Sequence, residues 1–67
     1  MRKKEDWMRY GAEVLALGKP GKITFFQVSS VSGMEYVYYI HVKLDGEKKS
    51  EVYHPSDVEQ HPLQPAS

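Results

Sequence analysis

Met34-Glu35-Tyr36-Val37-Tyr38-Tyr39-Ile40-His41-Val42-Lys43-Leu44, followed by Asp45-Gly46, is the stretch on which the fold turns. Its middle is a near-continuous series of β-branched and aromatic residues, which pack well on a pleated surface. Asp-Gly tolerates positive φ and marks a hairpin. The stretch therefore predicts a long strand over Met34–Leu44, and Lys48–His54 follows as the return strand, ended by Pro55.

Upstream, Gly18-Lys19-Pro20-Gly21 is a turn cluster, and a strand is expected from Lys22 to Ser29. Ser29-Ser30-Val31-Ser32-Gly33 reads as the loop between the two strands. Downstream, Pro55-Ser56-Asp57-Val58-Glu59 reads as one helical turn, because Pro suits a first helical position. Val58 then plugs the end of the core, and Pro62-Leu63 returns as a last short strand. Residues 64–67 are expected to form a frayed tail.

Gly11-Ala12-Glu13-Val14-Leu15-Ala16-Leu17 reads in two ways. As a strand it completes a five-stranded barrel. As a helix end it uses the spacing of Trp7, Met8, Ala12 and Leu15, with Gly18 and Pro20 as the stop. Gly11 in the middle of such a helix costs about 1 kcal/mol. The fold class is thus mainly β, a small five-stranded barrel over residues 11–63 behind an N-terminal segment, 1–10. The alternative is α+β, with an N-terminal helix on a three-stranded antiparallel meander. A short helix over Lys4–Tyr10 is compatible with either.

The spacing Gly11-x-x-Val14, Gly18-x-x-Gly21-x-Ile23, Tyr38-x-Ile40-x-Val42 and Val52-Tyr53-x-Pro55-x-x-Val58 resembles that of SH3-like barrels. That group includes KOW, Tudor and CarD-type modules and the type II dihydrofolate reductases. The resemblance implies a fold, not an activity. Ser50-Glu51-Val52-Tyr53 falls where those reductases carry Val-Gln-Ile-Tyr in a shared pore. Glu51 replaces the Gln, and Leu15-Ala16-Leu17 offers no counterpart of the family's first-strand Lys. Reductase activity is accordingly not expected.

With 67 residues the chain has room for one domain with a thin core. It has no Cys, which excludes disulfides and thiolate zinc sites and fits a reducing, cytoplasmic setting. No segment approaches the roughly 18–20 apolar residues of a membrane span, so no membrane partner is expected. Net charge is zero, but residues 1–22 hold six Lys/Arg against three Asp/Glu, and residues 23–67 hold the reverse. His41, His54 and His61 lack ligand-motif spacing, and Glu47, Glu51, Asp57 and Glu59 are scattered over strand ends and turns. No catalytic, metal or cofactor residue is assigned, and a non-catalytic protein is expected.

Two-residue alternation places Val14, Ile23, Phe25, Tyr38, Ile40, Val42, Val52, Val58 and Leu63 inside. It leaves Phe26, Tyr39, His41 and Tyr53 facing out as a partner-binding patch, unless Trp7 and Met8 fold over it. The expected partner is a protein or a second copy. The alternative is a KOW- or Tudor-like nucleic-acid module, with Arg2, Lys3, Lys4, Arg9, Lys19 and Lys22 on phosphates.

Overall fold

A computed structural model describes residues 2–62. Its strands are β1 (Arg2–Lys3), β2 (Glu13–Ala16), β3 (Lys19–Val31), β4 (Met34–Leu44), β5 (Glu51–Tyr53) and β6 (Val58–Gln60). A 3-10 turn, Pro55–Asp57, precedes β6. The sheet is antiparallel, in the order β1-β4-β3-β2-β6, with β5 pairing β4 as well. It curls into a half-barrel, and the protein is a small, mostly β domain.

β4 has the predicted bounds, and β2 settles the open choice over Gly11–Leu17 as a strand. The helix over Lys4–Tyr10 does not form; turns occupy that segment, and Met8 is buried in the core. Residues 2–10 belong to the fold, since Arg2 and Lys3 pair with Val37 and Tyr36 and Met8 is in the core. β3 runs on to Val31, through the serines expected as a loop. Pairing with Met34, Glu35 and Tyr36 overrides the weak local preference of Ser29 and Ser30, leaving a two-residue turn at Ser32-Gly33. Both turn residues have positive φ, as a tight hairpin demands.

The return strand after Asp45-Gly46 is shorter than expected. Glu47 N donates to Leu44 O at 3.0 Å, closing the turn, but pairing resumes only at Glu51. Ser50 Oγ lies 2.7 Å from Thr24 Oγ1 and ties the intervening loop to β3. The 3-10 turn forms as read, with Pro55 at its start and His54 as its cap; Ser56 N donates to His54 Nδ1 at 3.3 Å. Val58 is fully buried. The last strand among the described residues is Val58–Gln60, which begins directly after the turn and pairs Val58 with Ala16. Leu63 and the expected tail, 64–67, lie outside the described residues.

Two β-bulges decide which side chains face the core. Ile23 pairs Val42 and Phe25 pairs His41, so Thr24 is an extra residue on β3. Gln27 pairs Tyr39 and Val28 pairs Val37, so Tyr38 is an extra residue on β4. Each insertion shifts the alternation by one. The core therefore takes Phe26 and Val37, while Phe25 and Tyr38 are exposed, the reverse of strict alternation. Tyr53 pairs the fully buried Ile40 and packs against the core, and Val52 is exposed. The remaining core is Met8, Ala12, Val14, Ala16, Ile23, Ile40, Val42 and Val58.

Among the described residues no strand pairing joins β6 to β1 or β5. The opening is bridged by a side chain instead. Arg2 Nη1 donates to Pro55 O and to Val58 O, both at 3.0 Å. Its second terminal nitrogen meets the Glu5 carboxylate, and the guanidinium lies 5.6 Å from the Trp7 ring centroid.

The β2–β3 turn places Leu17 at φ 52, a left-handed conformation costly for a Leu that is also exposed. Leu17→Asn keeps the N–H that donates to Asp57 O at 2.9 Å and fits the turn better. The variant is expected to be more stable by about 1 kcal/mol in urea unfolding. An unchanged midpoint would contradict that.

Candidate functional site: an outward aromatic row

Three strands carry the site. β3, β4 and β5 bring Phe25, His41 and Val52 into one row across the outer face. Ring centroids of Phe25 and His41 are 5.3 Å apart at 83°, an edge-to-face pair. Two residues along, Gln27 pairs Tyr39, and Gln27 Nε2 lies 3.3 Å from His41 Nε2. With His41 accepting, the Gln27 amide donates and holds the imidazole upright. Tyr10 extends the row: its ring lies 6.3 Å from that of Phe25 and stacks on Phe26 at 4.8 Å. Phe25, Tyr39 and Val52 are 49%, 46% and 54% exposed, so the face is open to solvent.

Of the residues expected there, Tyr39 and His41 are present and Phe26 and Tyr53 are not. Phe26 is buried, and Tyr53 turns towards the core. Their places go to the adjacent Phe25 and Val52, an exchange caused by the Thr24 bulge and by the Ile40–Tyr53 register. Trp7 and Met8 do not cover the row, because Met8 is a core residue and Trp7 packs against the same core.

The six expected phosphate contacts are not brought together. Arg2 is engaged in closing the half-barrel. Lys3, Lys4 and Arg9 line a hollow with Glu5, Asp6 and Glu35, so their charge is locally balanced. Lys4 Nζ also lies 5.4 Å from the Phe26 ring centroid. Lys19 opens β3 beside Ala16. Lys22 alone lies on the outer face, and its cross-strand partner is Lys43. The pair borders an open groove of about 390 Å³ that Thr24 and Gly11 also line. Sequence reading missed Lys43 as a partner for Lys22, although it shares the alternation of Tyr39 and His41.

Among the described residues no three His, Cys, Asp or Glu side chains converge as metal ligands. No helix among them is long and apolar enough to cross a membrane. One titration is perturbed. Partial burial, and then the Glu51 carboxylate, raise the Tyr53 phenol above its ordinary value of 10.0. Its hydroxyl donates to Glu51 at 3.5 Å. The folded state thus holds this proton more tightly than the unfolded chain. The contribution is complete below about pH 10 and is lost as pH rises through the folded value. Tyr53→Phe is expected to flatten the alkaline loss of stability. An alkaline stability profile unchanged in the variant would contradict this.

No family model, curated protein or solved structure matches the chain.

Proposed function

We propose that the protein is a non-catalytic, SH3-like interaction module that binds a protein through its outer aromatic row. The observation that supports this most is the Phe25–His41–Val52 row, with Tyr39 and Tyr10 beside it, apolar and open in a domain with little core to spare. Exposed apolar surface on so small a domain costs solubility, and a contiguous patch of this kind is the usual mark of a docking face. Aromatic side chains supply large contact area at low conformational cost. The Cys-free chain fits a cytoplasmic setting.

A displayed peptide library screened on the folded domain tests the reading. Selected peptides are expected to shift the amide resonances of Phe25, Gln27, Tyr39, His41 and Val52. The Tyr39→Ala and Val52→Ser variants are expected to bind them about tenfold more weakly, a modest hot-spot loss. Peptides that map elsewhere would reject it.

A second reading rests on Lys22 and Lys43. Two cations directly opposite each other are unfavourable in an isolated sheet. Beside Phe25 and His41 they would suit a single strand of nucleic acid, with bases stacked on rings and phosphates on the lysines. Titration with single-stranded oligonucleotides at low and high salt separates the two: binding that weakens with salt and is lost in Lys43→Glu supports this reading, and no binding at low salt removes it.

A further inference from the structure

The open edge of β3 adjoins the outer face and shares Phe25 with it. Gly11 N donates to Ile23 O at 2.7 Å, and Ile23 N donates to Ala12 O at 3.0 Å. From Phe25 to Val31, β3 pairs only β4 among the described residues, so the backbone groups of its other side have no strand partner. Proteins protect such edges by shortness, charge or proline. The other edges here follow that rule: β1, β5 and β6 have two or three residues each, and all carry charge. Phe25-Phe26-Gln27-Val28-Ser29-Ser30-Val31 has none of these devices, although the Tyr10 ring lies against Phe25 and Phe26 at its start. Residues 23–34 are the longest stretch of the chain without Asp, Glu, Lys or Arg. Phe25, Val28 and Val31 are all exposed.

We propose that a second copy of this chain pairs with this edge, β3 against β3, antiparallel about a two-fold axis at Val28. The segment is self-complementary in that register. Val28 meets Val28, Phe25 of one copy faces Val31 of the other, and Gln27 faces Ser29. The exposed apolar side chains oppose one another, Phe26, whose side chain lies in the core, falls opposite Ser30, and two like copies meet without charge repulsion. A shift by one residue of the axis puts the exposed Phe25 opposite Ser29 and leaves Val31 without its apolar partner. The dimer is one continuous sheet with both aromatic rows on the same side, so it presents the outer face twice.

Sedimentation equilibrium of the full chain over a range of concentrations tests this, with twice the 7.7 kDa chain mass expected. Val28→Lys places two like charges opposite each other at the axis and is expected to weaken the dimer at least about tenfold. Tyr39→Ala with Val52→Ser is expected to leave it unchanged. The chain has no native Cys, so single-cysteine variants report the register cleanly. Val28→Cys is expected to oxidise to a covalent dimer, because opposite Cα atoms about 4.5–5.5 Å apart suit a disulfide. Ser30→Cys sets its two sulfurs on Cα atoms roughly 14 Å apart and is expected not to cross-link. This pair decides even if Val28→Lys fails to fold. A monomer at every concentration overturns the proposal. So does a dimer indifferent to Val28→Lys, lost through the outer-face variant, or cross-linked equally at both positions. Peptide binding to the outer row is a separate readout, so either proposal can fail alone.

Discussion

Gly21→Ala is expected to destabilise the protein by about 3 kcal/mol or more, at the upper end of overpacking effects. For a domain of this size, whose total stability is about 3–10 kcal/mol, that removes from about a third of it to nearly all of it. Gly21 sits where β3 passes between β2 and β4, pairing Val14 on one side and Leu44 on the other. A methyl group there would lie 2.7 Å from Lys43 O, 2.8 Å from Val42 Cγ1 and 2.9 Å from Leu44 Cα. Two of those atoms are backbone, so relief requires β4 to move, and β4 carries the fully buried Val37, Ile40 and Val42. Gly18 is the control. It has φ 80 but open space where a methyl group would go, so Gly18→Ala meets only backbone strain of about 1–2 kcal/mol. Urea unfolding of both variants measures the difference. Equal losses would mean that close strand approach is not what requires Gly21.

Arg2→Ala is expected to cost about 2–3 kcal/mol in the same assay. Hydrogen bonds from a charged donor contribute about 1.5–3 kcal/mol each in well-shielded positions. Here two such bonds reach Pro55 O and Val58 O, but the side chain is 35% exposed, and water replaces part of what is lost. The half-exposed pairing with Glu5 adds little. The effect is large for a terminal residue because Arg2 spans from β1 to the 3-10 turn and β6, across the opening that the backbone does not close. Arg2→Lys keeps the charge but not the planar fork that serves two carbonyls, so an intermediate loss is expected. Amide hydrogen exchange in β6 should quicken in Arg2→Ala more than in β3. A loss below about 0.5 kcal/mol, typical of an ordinary surface change, would remove the closing role.

Several parts of the fold are legible in the chain because they depend on local chemistry. The run Tyr36–Val42 makes a strand under any packing, and the bounds of β4 follow from it. Pro55 sets the 3-10 turn, and Val58 after it becomes core. The candidate site was legible in part. Tyr39 and His41 lie between the Thr24 bulge and the Tyr38 bulge and keep their expected sides, whereas Phe26 and Tyr53 do not.

Local chemistry along the chain is enough for a small β domain, its long central strand, the turn at Pro55 and the outward Tyr39 and His41 on β4. Tertiary structure alone decided which neighbouring residue completes that surface, since strand parity depends on a single inserted residue and nothing local marks Thr24 or Tyr38 as the insertion. It also decided the fate of the N-terminus. Arg2 reads as a solvated charge in the chain and becomes the bridge over the half-barrel, because its two acceptors, Pro55 O and Val58 O, are brought near it only when the sheet curls.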